Sequence, residues 1–227
     1  MMRKKEFLNN VSLLTRVQER KNSIIKNYDF VAFTFGLHYL CIVKQSKLQK
    51  KKDMKEINYK DMKFNPFNLI GGEWMLVTAG NEQTGCNTMT ASWGHLGCLW
   101  GNNDPTAVIY LRPSRYTKKF VDEESYFTLC VMDKSFKKQM AYLGSVSGRD
   151  EDKIAKTGLT PVFAEDSVYF KEAKLVLVCK KLYQSELQES GFLYQRTIDE
   201  SYPLRDFHTM YVGKIEKILV RDDEYLK

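Results

Sequence analysis

From residue 54 onward the apolar positions fall in short alternating or unbroken runs, the pattern of β-strands rather than of long helices. F-N-P-F at 64–67 and the Gly71-Gly72 pair punctuate the entry to this region. E-W-M-L-V-T-A at 73–79 reads as a buried strand, with Gly80, Asn81 and Glu82 as its turn. Residues 87–93 alternate well enough for a second strand, and 107–111 supply a third. Pro113 stops that strand, and Ser114 is placed to cap a short helix through about Glu124. A further strand follows at 126–132, helical spacing at 136–143, and a loop at 145–150 leading to a charged helical turn around Lys153. Residues 168–182 are the most β-rich stretch, and alternation at 209–220 closes the chain. Many short strands with a few helices between them predict a mainly β (α+β) architecture. The expected form is an antiparallel barrel with helical additions, not alternating βαβ units.

Residues 1–53 break this pattern. Arg16, Arg20, Lys21 and Lys26 precede a mostly apolar run at 30–43, and a lysine-rich block follows at 44–52. The order is that of a secretory signal, but the basic part is too long and no small-residue cleavage site closes the run. The segment is either a short interfacial anchor or a poorly ordered extension ahead of a native start at Met54. The chain thus divides into a basic extension at 1–53 and a domain at 54–227.

Composition sharpens the division. The 227 residues are 43% hydrophobic and 28% charged, ordinary for a soluble protein. The formal charge is +7, but residues 1–53 hold 12 Lys/Arg against 4 Asp/Glu, which leaves the domain close to neutral. Nucleic acid is therefore not an expected partner of the domain. No apolar run reaches the ~18–20 residues of a transmembrane segment. Cys41, Cys86, Cys98, Cys130 and Cys179 form an odd set without C-x-x-C spacing, which fits reduced thiols in a cytoplasm.

The chemistry is concentrated at 86–118. R-P-S-R-Y-T-K at 112–118 gathers a strand end, free amides, hydroxyls and two guanidinium groups around one point. Such a point suits a phosphate, although an ordinary capped helix with solvated arginines has the same spacing. N-T-M-T-A-S-W at 87–93 sets small polar groups beside a large aromatic, a combination that suits a planar heterocycle or simply a threonine-rich strand. Three scattered histidines give no metal site. His208, just before the last strand, is either structural or a ligand contact at the barrel rim. No dinucleotide-binding G-x-G-x-x-G, P-loop or nucleophile elbow occurs.

Four ordered motifs carry a resemblance: N-T-M-T-A-S-W at 87–93, R-P-S-R-Y-T at 112–117, S-G-R-D-E-D-K at 147–153 with T-G-L-T at 157–160, and D-F-H-T-M-Y-V-G at 206–213. With them, residues 54–227 resemble the flavin reductase-like family of FMN-binding split β-barrels. The resemblance implies FMN held non-covalently, usually at a homodimer interface. It implies that Asn87, Thr88, Met89, Thr90, Ala91, Ser92 and Trp93 line the isoalloxazine and ribityl chain. Arg112, Ser114, Arg115 and Thr117 would hold the phosphate, Lys153 would lie near the flavin, and His208 would be the catalytic candidate. The implied activity is an NAD(P)H:flavin oxidoreductase passing electrons to a further acceptor. The alternative is a flavoredoxin-like electron-transfer protein reduced by a redox partner protein.

Overall fold

The computed structural model describes residues 53–165, 167–221 and 223–226. The expectations for the basic extension, Asp53 apart, lie outside the described residues. In chain order the strands are β1 (Lys55–Glu56), β2 (Met75–Asn81), β3 (Gly85–Ala91), β4 (Gly94–Cys98) and β5 (Pro105–Leu111). Then come β6 (Tyr126–Met132), β7 (Pro161–Ala164), β8 (Ser167–Phe170), β9 (Ala173–Glu186) and β10 (Thr209–Val220). The α-helices are short: α1 (Thr117–Glu123), α2 (Lys137–Ser145), α3 (Lys153–Thr157) and α4 (Gln195–Ser201). A π-helix at Asn68–Glu73 precedes β2.

The main sheet is antiparallel with strand order β3-β2-β6-β9-β10-β5-β4, and β1 adds to β10. Its two outermost strands are consecutive in sequence. β3 ends at Ala91 and β4 begins at Gly94, so Ser92 and Trp93 alone join them. In a flat sheet six strand spacings would separate those edges by roughly 29 Å. The three Cα steps from Ala91 to Gly94 reach at most about 11 Å. The sheet must therefore curl until its edges nearly meet, in keeping with the natural twist of strands. No ladder joins β3 to β4 in the strand order, which leaves the barrel split along that seam. This is the split-barrel architecture of a mainly antiparallel β protein.

Alternation along the central strands feeds two cores. Val77, Leu129, Val131, Leu175 and Leu177 pack with Ile109, Leu111, Phe127 and Tyr211 on one face. Leu76, Cys130, Met132, Val176 and Val178 pack on the other with Met140 and Leu143 of α2 and Phe170 of β8. Strands β2, β6 and β9 are thus buried on both faces, which explains their unbroken apolar runs. The C-terminal end of α1, opposite the end that carries Thr117, is tied down from β9 and β10. The Tyr211 hydroxyl donates to Asp122 Oδ1 at 2.5 Å, and Lys181 Nζ donates to the Val121 and Asp122 carbonyls at 2.6 and 2.9 Å. Lysine on the last carbonyls of a helix satisfies acceptors the helix itself cannot.

Three local expectations are corrected, and one strand is added. β2 continues to Asn81, and the turn falls at 82–84 instead of 80–82. G-H-L-G-C at 94–98 forms β4 although it lacks β-branched residues, because pairing with β5 supplies the ladder. The stretch at 168–182 is divided by a turn at 171–172 into β8 and the longer β9. Ser114 does not cap the helix: α1 begins at Thr117 with no side-chain cap, and residues 112–116 form a turn closed by Arg115 N–H donating to the Arg112 carbonyl at 3.0 Å.

Where β10 steps out of register with β9, Gly213 lies against the core so closely that a Cβ would stand 2.7 Å from Phe127 Cζ and 2.9 Å from Cys179 Cβ. Gly213→Ala is therefore expected to destabilise the domain by about 1–3 kcal/mol. A urea titration should show a lower midpoint with an unchanged slope; an unchanged midpoint would mean the core yields freely here.

Candidate functional site

Three connected cavities lie on the barrel where the Ser92-Trp93 link closes it. The smallest, about 70 Å³, lies between the 112–117 turn and the end of α2 with the loop that follows it. Met89 and Arg115 are shared with a second cavity of about 190 Å³ along β3. Ser92, Trp93 and Tyr110 are shared between that cavity and a third of about 620 Å³.

The small chamber is walled by the hydroxyl-bearing Ser114, Thr117, Ser145 and Ser147 and by the cations Arg115 and Lys153, with no carboxylate among its walls. Lys153 is buried, and its Nζ donates to the Leu143 and Val146 carbonyls at 2.9 and 3.0 Å. Burial, with the nearby Arg115 charge second, brings its pKa down to about 8. Arg115 Nη1 donates to the Gly144 carbonyl at 3.1 Å. Two cations are thus drawn onto carbonyls at the negative end of α2 and held beside one small space.

The walls of this chamber are fastened to each other. Asn87 Nδ2 donates to Thr117 Oγ1 at 2.9 Å, leaving the threonine hydroxyl proton free to donate. Gly148 lets the loop close on this pair, since a Cβ there would stand 2.4 Å from Asn87 Oδ1 and 3.1 Å from Tyr116 Cδ1. Arg149 lies over the Tyr116 ring at 4.9 Å and donates to the Ser114 carbonyl at 3.1 Å.

Along the second cavity run Met89, Thr90, Ala91, Ser92, Trp93, Tyr110, Arg112, Arg115 and His208. Thr90 spends its hydroxyl proton on the Met140 carbonyl at 2.5 Å. Arg112 is engaged by the protein: Nη1 donates to Asp206 Oδ1 and Nη2 to the Ser201 carbonyl, both at 2.6 Å, with the guanidinium over the Tyr202 ring. That pairing holds the Asp206 carboxyl below the usual carboxylate range. His208 is buried, with Nδ1 at 2.8 Å from the Tyr202 hydroxyl and its ring 5.2 Å from that of Trp93. Burial first, then the Arg112 charge, pushes its pKa down to about 4 against the opposing pull of Asp206. It is a neutral imidazole at pH 7.

The sequence-named residues are therefore gathered, with three departures. Thr88 points away from the cavities, fully buried, its hydroxyl 2.8 Å from that of Thr78 and 3.0 Å from the Val77 carbonyl. Asn87 walls neither the small chamber nor the second cavity and acts on Thr117. Arg112 walls the middle cavity and not the small chamber. Tyr110 and Tyr202 were not singled out from sequence. Alternation along β5 puts Tyr110 two positions before Arg112, which could have revealed it; Tyr202 is brought in from an excursion between β9 and β10 without any motif of its own. Among the described residues no group of three or more His, Cys, Asp or Glu is placed to hold a metal, and no helix is long and apolar enough to cross a membrane.

Residues 67–227 match the flavin reductase like domain. No curated protein matches the chain. Among solved structures, an FMN-binding domain of a flavin reductases-like enzyme from Shewanella baltica is 14% identical with a TM-score of 0.54, over 75% of this chain and 78% of that one. Flavoredoxin of Desulfovibrio vulgaris is 23% identical with a TM-score of 0.52, over 76% and 82%. A flavin reductase with a split barrel domain from Shewanella frigidimarina is 20% identical with a TM-score of 0.52, over 69% and 71%. At these identities the structural likeness is one of fold. The domain match itself spans β2 to β10 and all the residues that wall the small chamber, and it shows that the chain belongs to the flavin reductase-like family.

Proposed function

We propose that the chain binds FMN non-covalently and works as an oxidoreductase that takes a hydride from NAD(P)H and passes the electrons to a further acceptor. The observation that carries this reading is the small chamber: a space for one phosphate, walled by hydroxyls and two cations and free of carboxylate. Ser114, Arg115, Thr117, Ser147 and Lys153 would hold the phosphate. Met89, Thr90, Ala91, Ser92, Trp93 and Tyr110 would wall the ribityl chain and ring. The flavin ring, when bound, supplies the hydride-accepting chemistry.

The chain's own residues orient that ring and shield it. His208, neutral and hydrogen-bonded through Nδ1 to Tyr202, walls the middle cavity. It would touch the ring as a neutral imidazole, not as an imidazolium acid. Arg112 is a positioning residue that ties the 201–206 segment to β5 and so places His208. Asn87 and Gly148 set the chamber's width. Free thiols at Cys86, Cys98, Cys130 and Cys179 fit a reducing, cytoplasmic setting. Exposed Leu193, Tyr194 and Leu204 on the β9–β10 excursion fit a surface covered in a homodimer.

A second reading, an electron-transfer protein of the flavoredoxin kind reduced by a protein partner, is favoured by one observation. No Lys or Arg lines the third cavity, so the phosphates of a dinucleotide find no cation there. Anaerobic mixing of the FMN-loaded chain with NADH and with NADPH separates the two. Bleaching of the flavin band by either supports the oxidoreductase; no bleaching by both leaves the protein-reduced carrier.

Lys153→Met should weaken FMN roughly 10–150-fold, the equivalent of a charge-assisted contact of ~1.5–3 kcal/mol, while riboflavin, which lacks the phosphate, binds as before. Because a bound phosphate favours charged Lys153, FMN affinity should be full below the free-chain pKa of about 8 and fall as pH rises through it. Riboflavin titrations over the same range give the reference, and equal losses for both flavins would remove Lys153 from the phosphate site. Arg112→Ala is expected to raise the His208 pKa from about 4, since Arg112 lowers it and Asp206 raises it. An NMR titration of the imidazole reads the shift, and an unmoved value would show that Arg112 does not govern His208.

A further inference from the structure

The small chamber has two side walls, and a residue outside it joins them. Residues 114–117 form one wall, and residues 145–147 of the loop after α2 form the other. Its floor is buried Leu143 and Lys153, and through Met89 and Arg115 it connects to the second cavity. Arg149 walls none of the three cavities. It reaches from the loop to the opposite wall: Nη1 donates to the Ser114 carbonyl at 3.1 Å, and the guanidinium lies 4.9 Å from the centre of the Tyr116 ring. A tight turn aims it there, with the Arg149 amide donating to Ser147 Oγ and the Asp150 amide to the Ser147 carbonyl, both at 3.2 Å. Arg149 is exposed, so these contacts fill no core; what they do is close the gap between the walls.

That closure bears on which phosphate the chamber admits. A terminal phosphate ends its ligand, and a closed space of about 70 Å³ suits it. A phosphate inside a dinucleotide continues into a second phosphate and an adenosine, which must leave the chamber. The way back along the second cavity is taken by the ribityl chain. The remaining exit runs between the walls that Arg149 joins. Charge acts in the same direction. A terminal phosphate carries about −1.5 to −2 at pH 7, more than a phosphate within a pyrophosphate, and the two cations Arg115 and Lys153 match the larger charge.

We propose that Arg149 is a specificity-determining latch, which joins the walls of the chamber and so restricts the site to a flavin with a terminal phosphate, excluding flavin adenine dinucleotide (FAD). The proposal rests on the FMN reading of the chamber. Arg149 acts through the obstruction it sets against the longer ligand, not by holding the phosphate itself.

Calorimetric titration of the full chain with FMN, FAD and riboflavin tests the latch. The unaltered chain should bind FMN about a hundredfold more tightly than FAD. Arg149→Ala should strengthen FAD about tenfold, change FMN by no more than about threefold and leave riboflavin as before. Tyr116→Leu removes the ring under the guanidinium and should narrow the FMN-to-FAD ratio by a smaller factor. Arg149→Lys keeps the charge but neither the planar stack nor the fork, so it should behave as Arg149→Ala does. A large loss of FMN in Arg149→Ala that Arg149→Lys restores would make Arg149 a phosphate ligand and overturn the latch. Parallel losses of all three flavins would show a merely structural role, and an unchanged FMN-to-FAD ratio in both Arg149→Ala and Tyr116→Leu would show no role in selection; either overturns it. Equal affinity of the unaltered chain for FMN and FAD would overturn the latch and leave the FMN reading standing. A chain that binds neither flavin nucleotide would overturn both.

Discussion

A two-residue link decides the shape of this protein. Ser92 and Trp93 join the outermost strands of a sheet too wide for them to bridge unless it curls. Closure without a β3–β4 ladder leaves a seam, and the seam gathers what the strands carry to it. β3 brings Met89 and Ala91, β5 brings Tyr110 and Arg112, and the approach to β10 brings His208. The link residues themselves wall two cavities at once, so the constraint that closes the fold also connects the spaces in it.

The second organising feature is electrostatic. α2 ends with carbonyls that no helical amide can satisfy, and Lys153 and Arg115 fill that role from two other parts of the chain. Holding an ammonium in a buried place lowers its pKa, and an anion in the chamber would relieve that penalty. Removal of carboxylates from one end of the site and of all charge from the other makes a gradient: cationic and hydroxyl-rich around 70 Å³, apolar and aromatic around 620 Å³. A ligand with a phosphate tail would lie with that tail at the cationic end.

Much of this was legible in the residues, and what was not has identifiable causes. The strands with β-branched runs were found because their burial on both faces leaves an unbroken apolar signal. β4 was not, because G-H-L-G-C is held by its partner β5 and not by propensity. The R-P-S-R-Y-T motif marks an anion site but gives its two arginines equal standing. Their separation depends on Asp206, 94 residues away, which claims Arg112 and leaves Arg115 to the chamber. Thr88 illustrates the opposite case: strand alternation alone would have set it facing Thr78 and away from Met89. Ser114 looked like a helix cap because a cap and a turn favour the same residue types, and only the chain's path distinguishes them.

The central claim is that the seam of this barrel is built to retain FMN. The absorption spectrum of the purified full-length chain, taken after incubation with FMN and removal of unbound flavin, tests it most directly. A retained flavin band corresponding to about one FMN per chain is the expected result. A colourless protein that releases all of its FMN would contradict it.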